Sequence, residues 1–257
     1  MSMAINLNAD LGEGYGRYTV GDDEQMLHLV QSVSIACGFH AGDPVVMAQT
    51  VRLAARHHVS IGAHPAFDDL RGFGRRAIRM NADELEYLVA YQIGALQGIA
   101  AGTGLRVTHV KPHGALNNMA HVDADYARAI ARAIRSVDPD LIFVATACSE
   151  MVKAGHRAGL RVAEEAYVDR TYTETGELTP RSAPGAVLHD ADAAVAQVLS
   201  FIDAGGIVTR SGKRLPARLQ TFCAHGDDDA SRATLAAVKA ALASRDIALV
   251  TIPQLQY

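Results

Sequence analysis

Five short polar clusters carry the side chains able to do chemistry in this 257-residue chain. The first is Asn6, Asn8 and Asp10, with Glu13 just after a glycine; the second is the run Gly38-Phe39-His40-Ala41-Gly42-Asp43. The third is His64-Pro65, with Asp68 and Asp69 close behind. His109, Lys111, Pro112 and His113 form the fourth, and His225-Gly226-Asp227 the fifth. Carboxylates and imidazoles in one pocket suit general acid–base catalysis, because histidine titrates near neutral pH. An Asp-His-His set could instead hold a divalent metal and activate water; Asp10, His40, His64 and His113 are the candidates. A lysine beside them would bind a substrate carboxylate or stabilise a developing negative charge. Each of these suits attack on an amide or a similar carbonyl, and the residue types leave the choice among them open.

These clusters share a position in the pattern of elements. Strand-like runs at 4–11, 32–37, 59–63, 107–111, 141–146, 161–167, 219–224 and 247–252 alternate with helical stretches near 22–30, 44–58, 82–101, 123–137, 149–158, 191–204 and 230–244. Asp43 and Pro44 open one helix, and Asn81 caps another with Asp83 and Glu84 in its first turn. Alternating strand and helix implies parallel strands joined by right-handed crossovers. About seven or eight such units predict a single-domain α/β chain over residues 1–257, an irregular TIM-like (β/α) barrel, with a doubly wound open sheet as the alternative. Each polar cluster falls at the C-terminal end of a strand, the face on which such barrels build their sites. The barrel would therefore gather Asp10, His40, His64, Lys111, His113 and Asp227 from distant parts of the chain.

Composition narrows the function classes. The chain is 49% hydrophobic and 20% charged, which fits a globular protein with a sizeable core. Its formal net charge of -4 and the lack of a basic stripe argue against a nucleic-acid partner. Cys37, Cys148 and Cys223 match neither a disulfide framework nor a CxxC zinc site and read as free thiols. With no apolar run of membrane-spanning length and no signal-peptide pattern, a cytoplasmic location and no membrane association are expected. Two superficial motifs are set aside. His109 and His113 are four apart, but Pro112 argues against the helix that a HExxH site needs. Ser211-Gly212-Lys213-Arg214 lacks the spacing of a phosphate loop and reads as a hairpin turn.

Several ordered segments resemble the LamB/YcsF family. They include Leu7-Asn8-Ala9-Asp10-Leu11-Gly12-Glu13, Ile35-Ala36-Cys37-Gly38-Phe39-His40-Ala41-Gly42-Asp43-Pro44 and Ile61-Gly62-Ala63-His64-Pro65. Gly72-Phe73-Gly74-Arg75-Arg76, His109-Val110-Lys111-Pro112-His113-Gly114-Ala115-Leu116, Asp169-Arg170-Thr171-Tyr172, Pro180-Arg181-Ser182-Ala183-Pro184-Gly185-Ala186 and His225-Gly226-Asp227 continue the match along nearly the whole chain. The resemblance implies the seven-stranded irregular barrel of the glycoside hydrolase/deacetylase superfamily. It implies the A component of a prokaryotic 5-oxoprolinase, which works with partner subunits B and C. The implied reaction takes 5-oxo-L-proline, ATP and water to L-glutamate, ADP and phosphate, with ATP as co-substrate and Mg expected.

On that resemblance, Asp10, His40, His64, Lys111 and His113 are expected to be catalytic. Asn6, Asn8, Glu13, His109, Arg181, His225 and Asp227 are expected to contact substrate, and Arg75, Arg76 and Arg181 to meet phosphate or a partner chain. A divalent metal in this chain is left open. Ala9, Ala66 and Asn117 depart from residues usual in the family, which argues against a nucleophilic cysteine at position 9 and leaves fine substrate contacts at 117 undecided. Two other readings stand beside this one: a stand-alone metal-dependent deacetylase-like hydrolase, and a non-enzymatic carbohydrate- or ligand-binding protein.

Overall fold

Side chains alternate between the two faces of a strand, so the sequence of each strand decides what the barrel wall shows inside and out. In β1 (Ala4–Leu11), Ile5, Leu7, Ala9 and Leu11 join the main apolar core, and Asn6, Asn8 and Asp10 take the opposite face. A computed structural model describes residues 3–224 and 229–257. After β1 come α1 (Asp23–Leu27), β2 (Ser32–Ala36), α2 (Pro44–Arg56), β3 (Ser60–His64), α3 (Ala82–Ala101) and β4 (Val107–Val110). Then follow α4 (Gly114–Val122), α5 (Ala124–Val137), β5 (Ile142–Thr146), α6 (Glu150–Arg157) and β6 (Arg161–Tyr167). The remaining elements are α7 (Ala191–Ala204), β7 (Gly206–Val208), β8 (Arg214–Pro216), β9 (Leu219–Cys223), α8 (Asp229–Ser244) and β10 (Ala248–Leu249).

Strands β1 to β6 pair in sequence order, all parallel; β6 then pairs with β9, and β9 closes onto β1. The product is the expected closed barrel of seven parallel strands with helices outside, not the open sheet. β7 and β8 form the expected hairpin around Ser211-Gly212, outside the barrel. Local sequence sets the helix ends. Asp43 accepts from the Val45 and Val46 amides with Pro44 next to it, and Asn81 and Glu84 form a reciprocal capping box. Gly205, at φ +61°, ends α7.

Two elements differ from expectation. Helix α4 was not foreseen, because His113 at its start makes no side-chain cap bond and Pro112-His113-Gly114 reads as a loop. The strand expected over 247–252 pairs with β1 only at Ala4 and Ile5, then turns into a short 3-10 segment at Ile252–Gln254. Ile252 and Leu255 pack against Ile142, Val144 and Ala163, and the Ile252 amide donates to Ser32 Oγ at 3.0 Å. This turn stoppers the N-terminal end of the barrel and leaves the other end for the site. The three cysteines are free, and among the described residues no helix is long and apolar enough to cross a membrane.

Candidate functional site

The inward faces of β1, β4, β6 and β9 build a charged column in the barrel. Lys111, just past β4 and 1% exposed, places Nζ 2.6 Å from Asp10 Oδ1 and 3.4 Å from Glu165 Oε1. The same nitrogen donates to Asn8 Oδ1 at 2.9 Å and approaches Cys223 Sγ at 3.1 Å. Asn8 Nδ2 donates to Glu165 Oε1 and to Thr221 Oγ1, tying three strands together. Burial would depress the Lys111 ammonium, but Asp10, Cys223 and Glu165 hold it well above its ordinary value. Burial would likewise raise Asp10, yet His64 and Lys111 hold its carboxyl well below the usual range. Glu165 is raised, because its burial outweighs the pull of Lys111.

Three imidazoles and Glu13 stand above this column. His64 Nε2 lies 3.2 Å from Asp10 Oδ2 and 3.0 Å from His113 Nδ1. The far nitrogens of both rings meet backbone carbonyls: His64 Nδ1 meets Lys111 O at 2.6 Å and His113 Nε2 meets Phe73 O at 2.9 Å. His40 stacks on His113 with ring centroids 3.8 Å apart, and its Nε2 lies 3.0 Å from Glu13 Oε1. Burial, with the neighbouring imidazoles, pushes His40 and His113 well below the ordinary histidine value, which keeps both rings neutral at physiological pH. Two glycines allow this crowding. Gly74 (φ +63°) presses against the rings, so that a Cβ there would sit 2.7 Å from His40 Cβ and 2.8 Å from His113 Cδ2. Gly114 (φ +54°) backs onto the Gly74 carbonyl.

Above the imidazoles opens a cleft of about 330 Å³, the size of a small-ligand site. Asp10, His64 and His113 form its floor with Tyr167, while Glu13, Arg75, Asn117, Arg170, Thr179 and Arg181 line its sides. Arg170 is held by the carbonyls of Thr179 and Ala186, so it fixes the wall. Arg76 pairs with Asp69, which also caps the short turn at Leu70–Gly72.

The expected residues divide by depth. Asp10, Glu13, His64, His113 and Arg181 line the cleft; Lys111 and His40 lie behind its lining and contact Asp10 and Glu13, and Asn8 bonds Lys111 from deeper in the barrel. Asn6 and His109 sit nearer the stoppered end, away from any substrate position in this cleft. Asn6 bonds Ser32, Thr221 and the Val250 carbonyl. His109 bonds Thr108 and packs over Gly62, with Nε2 buried and unpaired among the described residues. Both follow the inward parity of their strands, but at a lower level than the site. His225 and Asp227 lie outside the described residues. Glu165, Tyr167 and Arg170 were missed as site residues, although Glu165 and Tyr167 stand at the end of a strand in the same pattern as the five polar clusters.

Fold and site together define a (β/α)-barrel protein with a cleft lined by carboxylate, imidazole and guanidinium groups at its strand ends. The LamB/YcsF family model matches residues 5–257, and the chain belongs to that family. It is 51% identical over 253 residues to the A subunit of 5-oxoprolinase from Azoarcus sp. (strain BH72), covering 98% of this chain and 99% of that one. The crystal structure of a lactam utilization protein from Thermus thermophilus superposes with a TM-score of 0.90 at 40% identity, over 97% of this chain and all of the other. A T48 deacetylase bound to substrate shares the fold at TM-score 0.50 and 16% identity, over 98% of this chain and 90% of that chain.

Proposed function

We propose that this chain is the lactam-handling A component of an ATP-dependent 5-oxoprolinase, acting with B and C subunits in the cytoplasm. The observation that carries the reading is the cleft floor: Asp10 Oδ2 and His113 Nδ1 both lie within 3.2 Å of His64 Nε2, under a mouth that bears Arg75 and Arg181. The Azoarcus relative, named for 5-oxoprolinase, and the Thermus one, named for lactam utilization, support the substrate class.

The residues divide the work by position. Arg75 and Arg181 face the cleft as guanidinium groups suited to the carboxylate of a five-membered lactam acid. Asp10, kept ionised by His64 and Lys111, accepts a proton from the attacking water as the ring carbonyl becomes tetrahedral. The same proton passes to the lactam nitrogen as the ring opens, so the group ends as it began. Lys111 is a positioning residue: it holds Asp10 and Asn8 from behind the floor. A five-membered lactam is a stable amide, and ATP with Mg supplies the drive, handled partly by the partner subunits.

Glutamate release from 5-oxoproline, ATP and Mg is the test, run on this chain with and without its two partners. Activity is expected in the mixture alone and is lost in Asp10→Ala and His113→Ala. Full turnover by both variants removes the site assignment, and hydrolysis of acetylated substrates without ATP replaces the lactam reading by a deacetylase one.

A further inference from the structure

The hydrogen bonds around His64 and His113 leave two ring nitrogens facing each other. A carbonyl oxygen only accepts, so His64 carries its proton on Nδ1, toward Lys111 O, and His113 carries its proton on Nε2, toward Phe73 O. His64 Nε2 and His113 Nδ1 then point at each other, 3.0 Å apart. Glu13 Oε1 stands 3.7 Å from His113 Nδ1, and Asp10 Oδ2 stands 3.2 Å from His64 Nε2. Two imidazole nitrogens and two carboxylate oxygens, all atom types that ligate metals, converge there.

We infer that Glu13, His64 and His113 hold one divalent transition-metal ion, with an open coordination position toward the cleft. Two imidazoles and one carboxylate with a free position is a donor set that suits Zn²⁺ or Fe²⁺ in catalytic sites. Two of the three ligand-atom spacings, 3.0 and 3.7 Å, bracket the roughly 3.3 Å edge of a tetrahedron with bonds of about 2.0 Å, and the third lies within 4.8 Å. Each ligand is oriented from behind: His64 by Lys111 O, His113 by Phe73 O and Glu13 by His40 Nε2. Such outer partners fix ring orientation in metal sites.

His40 is close enough to be counted a fourth ligand, since one donor atom from each of Glu13, His40, His64 and His113 falls within 4.8 Å of the others. Its geometry assigns it otherwise. The His40 and His113 rings are 10° from parallel at 3.8 Å, so their in-plane lone pairs run side by side and do not meet at one ion. Asp10 is set apart by the Lys111 ammonium at 2.6 Å, which already answers its charge. The site also has an entry path, because all three ligands line the cleft. A bound ion there would supply Lewis-acid polarisation of a carbonyl or an acidified water.

The inference deepens the site of the proposed function without depending on its substrate. The test is Co²⁺ titration of the full chain, read by visible d–d absorption, with Zn²⁺ competition and metal analysis of the dialysed protein. One Co²⁺ per chain is expected, displaced by Zn²⁺. Glu13→Gln, which preserves volume, and His113→Ala should abolish it, while His40→Gln should keep one ion and weaken it by about 10–100-fold. Thermal unfolding of each variant separates loss of the ion from loss of the fold. Absence of Co²⁺ binding, or undiminished binding by a folded Glu13→Gln, overturns the metal site in favour of a proton shared by His64 and His113. Glutamate release by the three-subunit mixture despite that result leaves the lactam reading standing. Stoichiometric Co²⁺ with no glutamate release does the reverse.

Discussion

Glu165 Oε1 lies 3.4 Å from Lys111 Nζ inside the barrel, and each side chain is 1% exposed. With Asp10 on the other side of the ammonium, two carboxyl groups share one cation in the column. Replacing Lys111 by Met would leave two buried carboxylates without their cation. Breaking a buried pair in this way costs about 3–5 kcal/mol. Urea unfolding of Lys111→Met should show a loss of that order, and adding Glu165→Gln should restore part of it. A loss below about 1 kcal/mol would mean that Lys111 is not the hub of the column.

His109 gives the fold a defined acid sensitivity. Burial, with the positive charge of Lys111, pushes its pKa down to about 3. The unfolded value is about 6.5. The folded value is the lower one, so the contribution is fully present above pH 6.5 and is lost as the pH falls from there toward 3. The slope in that window is about 1.4 kcal/mol per pH unit for one proton. His109→Phe keeps a ring over Gly62 and should flatten the stability curve between pH 6.5 and 3 by that amount. An unchanged slope in equilibrium unfolding would contradict the neutral, buried state of His109.

Gly74 sets the spacing of the imidazoles. Alanine there must adopt φ +63° and push its Cβ against His40 and His113. A strained backbone of this kind costs about 1–3 kcal/mol before any clash is counted. Gly74→Ala is therefore expected to lower both the melting temperature and glutamate release. Gly98, inside α3 with open space about its Cα, is the control, and Gly98→Ala should be neutral or stabilising.

Arg75 tests substrate binding separately from chemistry. Its guanidinium lines the cleft mouth, and its exposure means that its loss should leave the fold intact. A charge-assisted hydrogen bond is worth about 1.5–3 kcal/mol, or about 10–100-fold in binding. Steady-state kinetics of the three-subunit mixture should show Arg75→Ala raising KM for 5-oxoproline by about that factor with kcat little changed. Equal falls in kcat and kcat/KM would place Arg75 in transition-state stabilisation instead.

The fold was largely legible because strand and helix differ in period, and α3, α7, β1 and β6 begin and end where the pattern says. Strand-end position identified the residues around the cleft, but strand parity carries no depth. Asn6 and Asp10 share a face and look equivalent in sequence, yet one bonds beside the barrel stopper and the other lines the cleft. Lys111 is expected from the sequence to meet a substrate carboxylate or a developing charge; its second buried partner, Glu165, is 54 residues away and pairs with it only after closure. Helix α4 escaped notice for a related reason: the side chain that would have announced its start, His113, faces His64 instead.

β1 holds β2 along one edge and β9 along the other, with Asn8 opposite Ser32 on one side and Cys223 on the other. The first strand therefore waits for the last barrel strand. During synthesis the edge of β1 stays exposed until residue 223 has emerged, and until then Asn8 lacks Thr221 and Lys111 lacks the Cys223 thiol. Pairing across some 200 residues is slow, and an unpaired strand edge invites association with other chains. The seam that completes the interior is thus also the point at which a nascent chain is most vulnerable.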